Sequence, residues 1–351
     1  MLTLSQASRE TKQILKWGGI FLAGLMTLLF LLRIATIIKN TYFPTIPKPT
    51  VAFGKLQPQN FPANNVSQNL TYSVNTLTGS LPNLNNQLKV YRIKPFQPDL
   101  LAVNKFQNRI TSVGFERGYT AVSDKIFEWK SNQNYGGIEK RIRFNTINNN
   151  FTITSLYTTD DDVLKSKKIP TESEAADIAN DLLNNMQAIP EDIDLEKTKT
   201  NLFSIQNGSL ITSTSLSNSQ IVEVNFFQKD LDNLPIFYEK PNSSNISVLI
   251  AGSGHQQGQV VGVNFIHQPV SEESSTYPLK SVSTAYDELK NGQAYVASYF
   301  GTLANISITN VFLAYYISSQ TQDFLMPVIV FEGNEGFFAY VPAIRDEWIN
   351  K

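Results

Sequence analysis

The sequence predicts an α+β protein: an N-terminal transmembrane helix followed by tandem modules of one helix packed on an antiparallel sheet. Three observations predict it. One long apolar run lies near the start, three later segments place apolar residues at helical spacing, and strand-patterned runs follow each of them. A single helix covering one face of an antiparallel sheet is the arrangement this order favours.

Composition narrows the field first. The chain has 351 residues, room for two or three domains, and its net charge of -1 offers no basic field for nucleic acid. Phe (22) and Tyr (14) are plentiful, which suits packed β structure. There is no cysteine, so disulfides, thiol nucleophiles and cysteine-held zinc or iron–sulfur sites are excluded.

Residues 1–16 read as a short tail carrying Arg9, Lys12 and Lys16 against Glu10. The run from Trp17 to Ile38, "WGGIFLAGLMTLLFLLRIATII", is apolar apart from Thr27, Thr36 and Arg33. As a helix it extends about 33 Å, enough for a hydrocarbon core of roughly 30 Å. Arg33 sits near the far end, where its side chain reaches the headgroups. Trp17 and Tyr42 flank the run as interfacial aromatics do. A cleaved signal peptide would have a shorter core and small residues at a cleavage site, so the run reads as an uncleaved anchor. A short basic tail is easier to retain than a large domain, which places the amino terminus in the cytoplasm and the remainder outside.

Residues 39–66 carry Pro44, Pro47, Pro49, Pro58 and Pro62 and read as a semi-rigid, proline-rich stalk. Three α+β modules are expected beyond it, over 67–164, 165–272 and 273–351. The first helix follows Pro98, with Ala102, Val103, Phe106 and Ile110 on one face and Gly114 after it. The strand-like runs "AVSDKIFEWK", "KRIRFNTI" and "FTITSLYT" come next. The second helix opens on a capping box, Thr171 with Glu174, and carries a stripe of Ala175, Ile178, Ala179, Leu182, Leu183 and Met186. "NLFSIQ", an Asn207-Gly208 turn, "LITSTSL", "IVEVNFF", "PIFYEK", "ISVLIAG" and "VVGVNFIH" follow as strands. The third helix starts near Ser281, with Val282, Ala285, Tyr286 and Leu289 inward and Gly292 closing it. "AYVASYF", "ITNVFLAYYIS", "FLMPVIVFEG" and "GFFAYVPAI" complete the chain. Between "IVEVNFF" and "PIFYEK", Asp230, Asp232 and Asn233 suit a turn held by side-chain to backbone hydrogen bonds. Pro235 then fixes the entry of the next strand, which would let Phe226 or Phe227 share a core with Phe237.

The segments "VEVNFFQKDLDNLPIFYEK", "YPLKSVSTAYDELKNGQAYV", "ITNVFLAYYISSQTQDFLMPVIVFEG" and "FFAYVPAI" carry a resemblance. Over roughly residues 170 to 345 the chain resembles PepSY-like extracytoplasmic modules, in particular the YycH/YycI-type regulators of a membrane sensor kinase. The resemblance implies an N-terminal membrane anchor, an extracytoplasmic α+β body, no catalytic centre, and action through protein–protein contact. The additional module at residues 88 to 160 and the proline-rich stalk depart from that pattern.

Chemical motifs are sparse. Ser253 and His255 in "AGSGHQQGQ" do not form a G-x-S-x-G elbow and read as a hairpin tip, and no Lys-Ser/Thr ending makes it a phosphate loop. His267 has no His or Cys nearby and reads as a surface or hydrogen-bonded histidine. Asp160, Asp161 and Asp162 lack the spaced ligands of a calcium loop. Glu172/Glu174 and Asp230/Asp232 are acid pairs with no fold yet aiming them at one cleft. Asn65, Asn69, Asn150 and Asn305 match glycosylation sequons that arise by chance in an Asn-rich chain.

The sequence therefore assigns no catalytic, cofactor-binding or metal-ligating residue, and no cofactor. Its leading expectation is a single-pass regulatory protein of a bacterial cell envelope. The expected partners are the membrane and another membrane or envelope protein such as a sensor kinase or peptidase, with no nucleic acid. An extracytoplasmic cell-wall-acting enzyme using Asp or Glu, and an assembly or adhesion component using exposed sheet edges, are the alternatives.

Overall fold

A computed structural model describes residues 4–42, 47–63, 70–132, 137–166, 168–252, 258–302 and 304–350. The chain divides into two units, Met1–Pro49 and Thr50–Lys351. The first holds α1 (Leu4–Tyr42), a 39-residue helix. Its stretch Leu15–Lys39 is long and apolar enough to cross a membrane, and none of it is buried against protein. The two hydroxyls of this stretch do not add polarity to its surface. Thr27 donates to the Ala23 carbonyl (2.8 Å) and Thr36 to that of Arg33 (2.7 Å).

The second unit begins with β1 (Thr71–Val74) and β2 (Gln87–Ile93), then α2 (Ala102–Thr111). An antiparallel meander follows: β3 (Phe115–Ala121), β4 (Ile126–Ser131), β5 (Lys140–Asn145) and β6 (Phe151–Ser155). After the short α3 (Asp161–Lys165) comes α4 (Glu172–Asn185), then β7 (Ile193–Gln206), β8 (Ser209–Ser213) and β9 (Ile221–Gln228). The two-residue β10 (Ile236–Phe237) precedes β11 (Ile246–Ala251), β12 (Gln259–Phe265) and β13 (Val270–Pro278). Helix α5 (Val282–Lys290) and strands β14 (Tyr295–Ser298), β15 (Asn305–Tyr316), β16 (Phe324–Gly333) and β17 (Phe338–Pro342) complete it.

The strands form two sheets. The nine-stranded one has the order β3-β4-β5-β6-β12-β11-β9-β7-β8. Helices α2 and α4 lie on the same face, where Phe106 and Ile110 from one and Ala179 and Leu183 from the other join Trp129, Ile142, Ile153, Val224 and Val263. Apart from "PIFYEK", the strands expected in the first two modules thus make one sheet, joined where β6 pairs with β12 (Ile153 opposite Val263). The eight-stranded sheet is built on β1-β15-β16-β17-β14, with β2, β10 and β13 attached. Helix α5 buries Val282, Ala285 and Leu289 against it. Most pairings are antiparallel; β1 and β10 run parallel to β15. The molecule is α+β.

Helices α4 and α5 start on the caps their sequences give. Thr171 and Glu174 form the reciprocal capping box, and the Ser281 hydroxyl accepts the Thr284 N–H (3.1 Å). Gly292 ends α5 at φ +72, a conformation that costs glycine no Cβ clash. The Asn207-Gly208 pair turns β7 into β8 with φ of 52 and 75, as a type I′ hairpin requires.

Three expectations need correction. Residues 50–63 belong to the body rather than to a stalk. Apolar residues interleaved with the prolines pack on it: Leu56 is fully enclosed and exchanges hydrogen bonds with Trp348 and Asn350, and half-buried Phe61 packs on Tyr295 and Tyr316. The run "AVSDKIFEWK" is a hairpin corner, not one strand. Val122 and Ser123 turn the chain between β3 and β4, and the Ser123 hydroxyl accepts the N–H groups of Lys125 and Ile126. Finally, Phe226 and Phe227 do not share a core with Phe237. Phe226 faces α4, and Phe227 packs edge-on to Tyr238 (5.8 Å). Phe237 lies against Phe312 and Tyr340 because β10 has joined the other sheet beside β15.

Candidate functional site: clefts on the helix-free sheet face

The titratable groups singled out in the sequence are spread over the body and serve local structure. Asp160 caps α3 by accepting the Val163 N–H (3.1 Å), and Asp161 pairs with Lys165 (2.8 Å). Glu174 is held in the capping box, where the Thr171 N–H and hydroxyl lower its carboxyl pKa; Glu172 accepts from the Thr200 hydroxyl. Asp230 reaches Lys197 (2.7 Å). Asp232 accepts the Tyr91 hydroxyl (2.6 Å) and a Lys89 ammonium hydrogen (3.1 Å). The 230–233 turn is therefore not held by carboxylates capping its own backbone. Asp232 and Asn233 take φ of 51 and 61, the Leu231 and Leu234 main chains bond each other, and the carboxylates tie the turn to β2 and β7. Asn150 spends its carbonyl on the His267 N–H (3.0 Å), while Asn305 is exposed. Ser253, His255, Asn65 and Asn69 lie outside the described residues.

His267, just past β12, is nearly enclosed, with 12% of its side chain exposed. Its Nε2 lies 2.8 and 3.1 Å from the two oxygens of Asp192, at the entry to β7. Gln228 at the end of β9 donates to the same carboxylate (2.8 Å). Burial acts to raise the Asp192 carboxyl pKa, but the His267 hydrogen bond and charge and the Gln228 amide outweigh it, leaving the pKa lowered. Among the described residues no group of three or more His, Asp and Glu could hold a metal ion.

Sequence reasoning missed the surface opposite the helices. Because side chains alternate along a strand, the residues between the core positions of the nine-stranded sheet face away from α2 and α4. Pairing aligns them in one cross-strand row: Glu128, Arg143, Thr152, Asn264, Ser247 and Asn225. The row is polar throughout, although the residues on either side of each member are core. No single strand reveals it; only the register does.

The connection between β15 and β16 lies over this face. The Ser318 carbonyl accepts from Asn245 (2.9 Å) and Gln268 (2.8 Å), the Gln322 N–H donates to Gln268 (3.0 Å), and Glu239 accepts from Ser319. A hollow opens on each side of it, with Ser319 lining both. One, of about 470 Å³, is polar and includes Thr154, Glu223, Ser247 and Asn264. The other, of about 530 Å³, lies between the β5–β6 turn and the chain leaving β2, and its wall is largely apolar. Both fall in the size range of small-ligand sites.

No protein-family model and no curated protein matches the chain. Among solved structures, the Bacillus megaterium YpeB C-terminal domain is similar over 72% of this chain and 94% of its own, at 11% sequence identity and a TM-score of 0.36.

Proposed function

We propose that the chain is a single-pass, membrane-tethered regulatory protein of the cell envelope that works by binding and not by breaking bonds. In this reading α1 crosses the membrane with its amino terminus in the cytoplasm, and the PepSY-like α+β body meets another membrane or envelope protein outside. The observation that carries it is the unburied apolar stretch Leu15–Lys39 joined to a body whose prominent acids and histidine are engaged in caps, turns and strand ties. The nine-stranded sheet ends in β3 and β8, and such edges suit strand-to-strand contact with a partner.

Crosslinking the full-length protein in its own membrane, followed by identification of what it captures, tests this directly. One recurrent membrane or envelope neighbour is expected, and capture should fail when residues 1–40 are deleted. Turnover of cell-wall glycan or peptide, abolished by one carboxylate substitution in the body, would reverse the assignment in favour of an enzyme.

A further inference from the structure

We propose that the polar hollow beside the β15–β16 connection binds the primary ammonium group of a ligand. Strand alternation sets its floor: Ser247, Asn264 and Glu223 each fall between core neighbours and face away from α2 and α4. The floor stays low at Gly262, where a Cβ would come within 3.1 Å of the Leu249 side chain. Tyr157 and Leu249 line one side and belong to a small apolar cluster with Val163 and Val261. The segment between β10 and β11, with Ser319, lines the other. Ser247 supplies the observation that points to a ligand. It is only 7% exposed and lines the hollow, yet its hydroxyl has no hydrogen-bond partner among the described residues. A buried hydroxyl left unpaired costs free energy that a bound group recovers.

What the protein's own hydrogen bonds leave over selects the ligand. Asn264 turns its NH2 onto the Asn245 carbonyl (3.0 Å), and Asn245 turns its own onto the Ser318 carbonyl (2.9 Å). Each is left with its amide oxygen to offer. Glu223 Oε2 accepts from Asn201 (3.0 Å) and Asn225 (3.1 Å), and Glu239 Oε1 accepts from the Ser319 N–H (3.2 Å) and hydroxyl. Each carboxylate therefore keeps one oxygen. Single oxygens from separate strands and loops suit an ammonium, which has three hydrogens to donate and no acceptor. A guanidinium pairs best with both oxygens of one carboxylate, and neither acid has both to give. A sugar would ask for donors as well, and these amides are turned onto the main chain. Lys240 is exposed at the lip and forms no ion pair among the described residues, so it opposes the two acids without neutralising either, and acid stays in excess among the lining residues. The strip of Tyr157 and Leu249 beside the acceptors fits the methylene chain that carries the ammonium. A lysine side chain on a peptide and a small alkyl diamine share that chemistry.

This site belongs to the body alone and does not depend on the tethered-partner reading. If crosslinking found no partner, the site would stand, and its failure would leave that reading untouched. The test uses the full chain in phosphatidylcholine nanodiscs, with empty nanodiscs as the blank. Acetyl-lysine methylamide with a free side-chain amine and 1,5-diaminopentane are titrated by saturation-transfer NMR. The same lysine amide acetylated on its side chain, and acetyl-arginine methylamide, are the controls. Saturable binding of at least one amine is expected, weaker by about tenfold or more in Glu223→Gln and in Thr154→Tyr. Glu223→Gln keeps an oxygen for Asn201 and Asn225, and Thr154→Tyr puts a ring into the hollow from an exposed strand position, so the fold is retained. Lys240→Met removes the opposing charge and should tighten binding roughly two- to fivefold. Tighter binding of the lysine amide identifies a peptide side chain as the source, and tighter binding of the diamine identifies a small amine; either supports the proposal. No saturable binding of either amine, equal binding of either control, or affinity unchanged by both Glu223→Gln and Lys240→Met would overturn it.

Discussion

His267 and Asp192 lie at opposite ends of the β7–β12 run, yet they meet at 2.8 Å beside Gln228. Replacing Asp192 by Ala leaves a nearly enclosed imidazole and the Gln228 amide without their acceptor. The expected loss is roughly 1–2 kcal/mol in urea unfolding at neutral pH. The pair also sets a pH dependence. A carboxyl whose folded pKa lies below its unfolded value stabilises fully above that unfolded value, near 3.9 for Asp. That stabilisation is lost as pH falls through the folded value. Wild type should therefore lose an increment of stability below about pH 4 that Asp192→Ala has already lost, so the two acid profiles converge. Parallel profiles would mean the carboxyl is not the group that matters. At the 230–233 turn, backbone and side chain can be separated because both Asp232 and Asn233 occupy the left-handed region. Asn233→Gly should be neutral or stabilising by up to about 1 kcal/mol, since it only relieves a residue with a Cβ at positive φ. Asp232→Gly relieves the same strain but gives up the Tyr91 and Lys89 bonds and should be net destabilising by roughly 1 kcal/mol. Equal effects of the two substitutions would assign the turn to backbone geometry alone.

Among the elements, the helices were legible and several strands were not, and burial explains the difference. α4 carries a complete cap and an inward stripe, so its start and its buried face can both be read from residues 171–186. Thr171→Ala should cost about 1 kcal/mol through the lost cap, and Leu183→Ala about 2–5 kcal/mol through the cavity left between α4 and the sheet. A Leu183 effect under 1 kcal/mol in denaturant unfolding would mean that α4 does not seal this core. The strands read correctly, such as β9, β11, β15 and β16, are those with long, largely buried runs rich in apolar residues. β3, the first half of β7, and β13 were missed. Their sequences, "FERGYTA", "IDLEKTKT" and "VSEESSTYP", are rich in charge or hydroxyl because much of each is exposed. Their place comes from pairing with a neighbour, β13 with β2 for example, which local patterning does not encode. The candidate clefts were invisible for the same reason: Thr152, Asn264 and Ser247 become one row only after two separate registers are fixed.

At the scale of the body, the chain does not finish one sheet before starting the other. It passes from the eight-stranded to the nine-stranded sheet between β2 and β3, back at β10, across again at β11, and back once more at β13. The β10 crossing is bonded into place, since the Tyr315 and Ile317 N–H groups donate to the Pro235 and Phe237 carbonyls (2.9 Å each). Removing either sheet would therefore break the chain path of the other and expose the apolar clusters that β10 and the end of β16 close. Two indole reporters make the consequence measurable. Trp129 is buried under α2 in the nine-stranded sheet, and Trp348 packs edge-on to Tyr277 (6.1 Å) beside the eight-stranded one. In Trp17→Phe/Trp348→Phe only the first reporter remains, and in Trp17→Phe/Trp129→Phe only the second. For each protein, the urea midpoint from fluorescence should coincide with its own midpoint from circular dichroism, because interleaved sheets unfold as one cooperative unit. A fragment ending at residue 164 should fail to fold alone, since it exposes the β6 edge that β12 covers and loses α4 from the shared core. Separated midpoints, or a folded 67–164 fragment, would restore the picture of independent modules and remove the reason for placing a persistent cleft where the two sheets meet.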